Sequence, residues 1–314
     1  MFSERTGLDA VTIAMLDGLH ELDALPNRTY VKSTTVVRHV DETRGIPSLY
    51  CYDAICMLAA PWLLPIPLID FHGNLGSLDP NDRPANPRYT EIRLAPAGLL
   101  ARAAEHGELP RLPIALINGD LAIGGTAPSF DPHRVVAALE RARAHDASDA
   151  ELIDAVGPPA FATGCAVEGD FAALAGGALT RLQLASRAEI ERVNGLVNVV
   201  LTHLPFGIGP DQIGDMLARR VDTEQADLHR QHPKLHERAT LPLKDVRNES
   251  ISSGTRLVCV LKPDADPELA LARVLETWPA TIELPVQLSE PLAALVRHFV
   301  DDPETQRPAL ATLL

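Results

Sequence analysis

The sequence predicts an α+β protein in which a three-helix, winged helix-turn-helix module precedes a larger α+β domain. Helical periodicity occurs three times before Pro61 and then gives way to a Gly-, Asp- and Pro-rich stretch with short extended runs. From Asn118 onward, helical segments alternate with strand-like ones. The chain has 314 residues, 46% of them hydrophobic and 22% charged, which is enough apolar material for two buried cores.

Residues 8–24 place apolar side chains near helical spacing, and Pro26 and Asn27 punctuate the end of that first helix. Ser33 stands before TTVVRHV as the start of a second helix. Tyr50 to Ala60 reads as a third, stopped by Pro61. The turn region 70–79 and a Pro-rich loop through Asn86-Pro87 follow. A helix from about Pro96 to Glu105 comes next, then the extended run LPIALINGD. In the second half, helices are expected at 132–145, 148–156, 268–277 and 289–300. Strands are expected at 181–184, 196–201 and 256–261, and residues 225–244, polar and His-rich, read as an exposed insertion. The expected division is a first domain over 1–117, a second over 118–302 and a tail over 303–314.

With 28 Lys and Arg against 42 Asp and Glu, the net charge is −14. That excludes a sequence-blind basic coat for nucleic acid but not a focused basic groove. The four cysteines are scattered without a C-x-x-C pair and read as reduced, buried thiols of a cytoplasmic protein. The N-terminus, MFSERTGLDA, lacks the apolar run of a signal peptide. Segment 54–69 is uncharged, but it is shorter than a bilayer span and broken by Pro61, Pro65 and Pro67, so it reads as buried. No membrane partner is expected.

The chemistry concentrates in Asn86-Pro-Arg88-Tyr89-Thr90-Glu91-Ile92-Arg93-Leu94. A phenol is a poor nucleophile near neutral pH because its pKa is about 10. A neighbouring Arg stabilises the phenolate and the charge that builds on phosphorus as it attacks a phosphate. Arg88 and Tyr89 supply both groups on a loop that a phosphate backbone can reach.

Together with His72-Gly-Asn-Leu-Gly-Ser-Leu-Asp79 upstream, this stretch resembles the active-site region of the A subunit of DNA gyrase and topoisomerase IV, the type IIA topoisomerases. There a Gly-Asn-Phe-Gly-Ser turn precedes an Arg-Tyr-Thr-Glu segment at a similar distance. The similarity continues in order. Leu116-Ile-Asn-Gly119 resembles Leu-Val-Asn-Gly, and Phe130-Asp-Pro-His133 is similar to Ile-Pro-Pro-His. Gly157-Pro-Pro-Ala-Phe-Ala-Thr-Gly164 is similar to Gly-Pro-Asp-Phe-Pro-Thr-Gly, and Leu204-Pro-Phe206 to Leu-Pro-Tyr. The run from Gly254 through Arg256 and Lys262 to Ala265 resembles a Gly-x-Arg-x-x-x-x-x-Lys-x-x-Ala strand. Residues 7 to about 300 are covered. The resemblance implies a winged-helix domain and a tower-like α+β domain. It also implies Tyr89 as the group that forms a phosphotyrosyl link to DNA, with Arg88 at the scissile phosphate.

The departures lie on one surface. The family's Gly-Leu-Lys-Pro-Val-His-Arg-Arg is here Gly7-Leu-Asp-Ala-Val-Thr-Ile-Ala14, without its His and Arg residues and with Asp9 in place of a Lys. Tyr30-Val-Lys-Ser-Thr-Thr35 keeps one of three cations, and Arg44-Gly-Ile-Pro-Ser-Leu49 lacks both histidines of His-Pro-His-Gly-Asp-Ser. Each absent cation is one phosphate contact fewer, and the lost Arg and His groups are lost transition-state stabilisation.

The remaining candidates for DNA contact are Lys32, Arg38, His39, Arg44, Arg88 and Arg93. They sit within residues 1–120, which carry ten Lys and Arg against fifteen Asp and Glu. For each the alternative is a solvated side chain. Ile123 falls where the family places an isoleucine wedged between base steps; its alternative is a buried core position. His229, His232 and His236 with Glu237 are a weak zinc pattern, because Pro233 interrupts any helix that would align them, and no metal site is assigned. Gly207-x-Gly209 lacks a dinucleotide-loop context. No intrinsic cofactor is expected. Mg²⁺ and ATP would come through a gyrase-B-like partner.

Beyond His298-Phe-Val-Asp-Asp302 the family continues into a coiled-coil gate. The chain reaches Leu314 without one, so strand passage by it alone is not expected. Two functional readings stay open. One is a catalytically degenerate homologue that binds duplex DNA or a topoisomerase partner, as a homodimer in the cytoplasm or on the nucleoid. The other is active, Tyr89-dependent DNA cleavage with a gyrase-B-like subunit.

Overall fold

The computed structural model describes residues 3–79, 81–143, 147–226, 241–251 and 254–300. Asp9 opens the first helix, α1 (Ala10–Glu21), its carboxylate accepting the Val11 and Thr12 N–H groups that a helix start leaves open. Met15, Leu16 and Leu19 are buried on its inner face. Helix α2 (Ser33–Arg44) ends on Gly45 in the left-handed conformation, and α3 (Ser48–Leu58) begins after Pro47.

Strands β1 (Val31–Lys32), β2 (Ile69–His72) and β3 (Glu91–Leu94) form an antiparallel sheet with β3 in the middle. Alternation along β3 turns Ile92 and Leu94 into the core and leaves Glu91 and Arg93 on the outer face. Helix α4 (Pro96–Glu105) crosses this sheet closely at Gly98, where a Cβ would lie 2.1 Å from the Leu68 carbonyl oxygen.

The run LPIALINGD is not extended as expected but contains a short helix, α5 (Ile114–Asn118). Its Ile114, Leu116 and Ile117 are buried and Ala115 is half-buried, and in so short a run periodicity does not separate helix from strand. Asn118 closes this helix and reaches back across the chain. Its Oδ1 accepts the Ile66 N–H at 3.0 Å and its Nδ2 donates to the Ile66 carbonyl at 2.8 Å. One buried amide thereby satisfies both backbone groups of Ile66 in the proline-broken segment 61–67.

The second half contains α6 (Pro132–Arg143), α7 (Asp149–Val156), β4 (Ala166–Gly169), α8 (Phe171–Ala175) and β5 (Thr180–Ala185). Strands β6 (Arg187–Val193) and β7 (Leu196–His203) form a hairpin across Asn194-Gly195, both with positive φ, as a tight two-residue turn requires. Then come α9 (Pro210–Ala226), β8 (Leu243–Asn248), β9 (Leu257–Leu261), α10 (Pro267–Leu275), β10 (Thr281–Val286) and α11 (Leu292–His298). The sheets run β10-β5-β4 and β6-β7-β9-β8, and all pairings are antiparallel.

The expected helices are present within a few residues of their predicted ends. Strands β4, β6, β8 and β10 and helices α8 and α9 were not predicted; in β6 and β8 charged residues interrupt the apolar alternation, and α8 is only five residues long. Of the expected insertion 225–244, Gln225 and Ala226 belong to α9 and Leu243 and Lys244 to β8, and residues 227–240, with His229, His232, His236 and Glu237, lie outside the described residues. No helix among the described residues is long and apolar enough to cross a membrane.

One apolar core runs from Leu8 to Phe299 and joins helices of both halves. A second gathers Val199, Leu201, Leu217, Leu257 and Val274, and Leu78 packs against it from the turn region of the first half. Replacing Asn118 with Leu leaves the Ile66 N–H and C=O buried and unpaired. A loss of roughly 2–4 kcal/mol in urea unfolding is expected.

Candidate functional site around Tyr89

The loop between β2 and β3 is shaped by its own polar residues. Gly73 (φ 97°) brings the turn close enough that a Cβ there would lie 3.0 Å from the Tyr89 carbonyl oxygen. Asn74 then organises both sides of the loop. Its Oδ1 accepts the Gly76 N–H at 2.6 Å, its Nδ2 donates to Asp82 at 2.9 Å, and its carbonyl accepts the Ala85 N–H at 2.9 Å. The Gly-Asn-Leu-Gly-Ser turn thus braces the loop that leads to Arg88-Tyr89.

The far end of the loop is clamped to α2. Helix α2 has no side-chain cap; instead the Thr90 carbonyl accepts the Ser33 N–H at 3.0 Å and the Pro87 carbonyl accepts the Thr34 N–H at 3.3 Å. Thr90, fully buried, donates through Oγ1 to Ser33 Oγ at 2.8 Å. The Tyr52 hydroxyl, on α3, donates to the Ala85 carbonyl and lies 3.4 Å from Thr90 Oγ1. Burial raises the Tyr52 pKa, so it stays a donor.

Held this way, Tyr89 projects into solvent, 68% exposed. Asn86 sets its neighbour: Oδ1 accepts from the Arg88 backbone N–H at 3.3 Å and from Nε at 3.1 Å, and the Asn86 carbonyl accepts the Tyr89 N–H at 2.8 Å. The Arg88 guanidinium lies 5.5 Å from the centre of the Tyr89 ring. Neither side chain is engaged by a carboxylate of a described residue, so the pair is open to an anionic group.

The other predicted cations are neutralised. Lys32 Nζ is 2.9 Å from Glu91, its cross-strand neighbour, and lowers the Glu91 pKa. Arg93 lies 2.8 Å from Asp70, also opposite it across the sheet, and stacks 4.2 Å over the ring of Tyr30. Tyr30 donates to the same carboxylate at 2.5 Å. Burial alone would raise the Asp70 pKa, but the Tyr30 and Arg93 hydrogen bonds outweigh it and leave it lowered. Arg44 grips Glu21 at 2.6 Å, and His39 meets the same carboxylate at 2.6 Å. Arg38 is 4.0 Å from Glu42 along α2.

Ile123 belongs to a different place. It ends a 3-10 turn over Leu121–Ile123, is 39% exposed, and borders a cleft that none of these cations lines. The structure thus brings Arg88 and Tyr89 together and sets Lys32 and Arg93 on the adjoining sheet face. Arg38 and Arg44 lie on α2, and Ile123 stands apart. Sequence reasoning missed Asn86, Thr90, Ser33 and Tyr52 as supports. It also missed Glu21, Asp70 and Glu91 as neutralising partners. The last two were readable as cross-strand opposites of Arg93 and Lys32 once the register is known. Glu21–Arg44 joins separate helices and leaves no local signal. Among the described residues, no group of three or more His, Cys, Asp or Glu side chains is placed to hold a metal.

A family model for the A subunit of DNA gyrase/topoisomerase IV matches residues 16–104. The chain is 32% identical to the DNA gyrase A subunit of Streptomyces coelicolor, over 85% of this chain and 33% of that protein. It is 30% identical to the DNA gyrase A subunit of a Nocardioides species, over 93% of this chain and 33% of the relative. Against the DNA topoisomerase 4 A subunit of a Synechocystis species, identity is 29% over 88% and 32% of the two chains. The chain therefore spans about a third of the length of the curated relatives it matches.

Hydrogen bonds from Arg44 and then His39 lower the Glu21 pKa from 4.5 to about 2. Because the folded-state value lies below the unfolded one, this contribution to stability is complete above about pH 4.5 and fades as pH falls toward 2. Glu21 is half exposed, so the amount is under about 1 kcal/mol. Glu21→Gln is expected to show a smaller drop in urea midpoint than the parent between about pH 5 and pH 2.5.

Proposed function

Because the chain is a type IIA topoisomerase A-subunit-like protein, we propose that it is a catalytically degenerate counterpart of that subunit's DNA-cleavage region. In this reading residues 1–117 act as the winged-helix, DNA-facing domain and residues 118–302 as a tower-like domain. The protein engages duplex DNA weakly through the Arg88–Tyr89 loop, or a topoisomerase partner such as a gyrase-B-like subunit, and works as a homodimer in the cytoplasm or on the nucleoid. No intrinsic cofactor takes part.

The pairing of Lys32, Arg44 and Arg93 with carboxylates, and the looser approach of Arg38 to Glu42, carries this reading. Exposed pairs of this kind hold together weakly, so a phosphate can displace the carboxylate. The displaced carboxylate nevertheless stays beside the phosphate, and the net gain per contact is small. A region whose cations are already spent gives little of the transition-state stabilisation that phosphoryl transfer needs.

A second reading, active cleavage with a gyrase-B-like subunit supplying Mg²⁺ and ATP chemistry, is favoured by the geometry of the loop. Arg88 and Tyr89 are side by side, paired with no carboxylate of a described residue, and hydrogen-bonded in place by Asn86. In that reaction the Tyr89 oxygen bonds to phosphorus as the bond from phosphorus to a deoxyribose oxygen breaks. The phenolic proton balances the new sugar hydroxyl.

The two readings part on a covalent adduct. The protein and a Tyr89→Phe variant are incubated with supercoiled DNA, Mg²⁺ and a gyrase B subunit, then quenched with detergent. Degeneracy predicts no adduct above the Tyr89→Phe background. An adduct that disappears with Tyr89→Phe establishes the active reading instead.

A further inference from the structure

The cleft bordered by Ile123 has a volume of about 1160 Å³ and lies away from Arg88 and Tyr89. Its floor is apolar. Ala54, Leu116 and Leu288 are buried there, and Val11, Met57 and Leu295 are half-buried. Its rim has one sign of charge. Glu4, Asp9, Asp53, Asp120 and Glu290 all line it, and no Lys or Arg among the described residues does; His298 is the sole basic side chain along it.

Two of the five carboxylates serve the fold: Asp9 caps α1, and Asp120 accepts the Ala127 N–H at 2.6 Å. Glu4, Asp53 and Glu290 are exposed and form no ion pair or side-chain hydrogen bond with a described residue. The glycine-containing wall offers no free donors either. The Ile123 and Gly125 N–H groups go to the Asp120 carbonyl and the Gly124 N–H to the Leu121 carbonyl. A phosphate entering here would meet carboxylates on the rim and no Lys or Arg of a described residue. The cleft is built against an anion.

We infer that this cleft is a docking site for a basic amphipathic segment of a partner protein, with apolar side chains on its floor and Lys or Arg against its rim. The volume exceeds the roughly 300–1,000 Å³ of a small-ligand pocket. Walls from α1, α3, the 120–128 loop and α11 form a groove of the kind that takes the apolar face of a helix. The single sign of the rim selects the charge of the occupant. Tyr50, 62% exposed on α3, stands at the edge as an aromatic contact. This inference does not depend on whether Tyr89 reacts.

The test is fluorescence anisotropy with three labelled probes: an amphipathic Lys/Leu helical peptide, its Glu/Leu counterpart and duplex DNA. The Lys/Leu peptide is expected to bind the full chain and the Glu/Leu peptide not to. An Asp53→Asn/Glu290→Gln double variant should weaken that binding about tenfold. A control of equal charge change on the exposed Glu168 and Asp264, Glu168→Gln/Asp264→Asn, should alter it less than twofold. Thermal unfolding confirms that both variants fold. The inference is overturned if the two double variants weaken binding equally, since attraction is then only to net charge. It is equally overturned if the Glu/Leu peptide binds as well as the Lys/Leu one. Duplex DNA binding that is lost in Ile123→Glu while the Lys/Leu peptide fails to bind also overturns it, assigning the cleft to DNA.

Discussion

The loop that presents Arg88 and Tyr89 has no ladder of its own, and its shape depends on the first turn of α2. A helix start leaves N–H groups without partners, and here the carbonyls of Pro87 and Thr90 take up two of them. The same exchange fixes the loop and caps the helix. The buried hydroxyls of Thr90 and Ser33 and the half-buried one of Tyr52 seal the junction. Lost together, they would leave polar groups stranded in an apolar core, which is costly. Tyr89 can therefore be exposed without being loose.

Around that rigid loop the electrostatics differ from what a phosphate-binding face needs. The sheet beside it alternates cation and carboxylate across strands: Lys32 with Glu91, and Arg93 with Asp70. Helix α2 repeats the pattern, with Arg44 and His39 sharing Glu21. Such pairs add little stability individually. Their consequence is that the field leaving this face is weak, and under the proposed function Tyr89 is positioned without the charge that would recruit DNA to it.

Much of this was legible in the sequence. Asp9, Gly45, Gly73 and Pro96 mark helix and turn boundaries through backbone rules that do not depend on the rest of the fold. Arg88-Tyr89 and the Gly-Asn-Leu-Gly-Ser turn were identifiable as a unit through family resemblance, and Asn74 and Gly73 brace the loop between them. What stayed hidden depends on distance in the chain. Glu21 meets Arg44 only because α1 and α2 pack, and Asn118 meets Ile66 only because the proline-broken segment lies across α5. Helix α5 itself read as a strand because so short a run carries no period that separates the two. Ile123 was singled out through family resemblance with a buried core position as the alternative, whereas the carboxylates that share its cleft come from four separate stretches of chain.

The central claim is that this face has the loop of a DNA-cleaving subunit without its free positive charge. Its most direct test is the salt dependence of duplex DNA binding to the unmodified protein, because the slope of log Kobs against log salt counts the phosphates neutralised. With Arg88 as the main uncommitted cation of the group, the account predicts a slope no steeper than about −2. A slope of about −4 or steeper, which is the engagement of Lys32, Arg38, Arg44, Arg88 and Arg93 together, would contradict it.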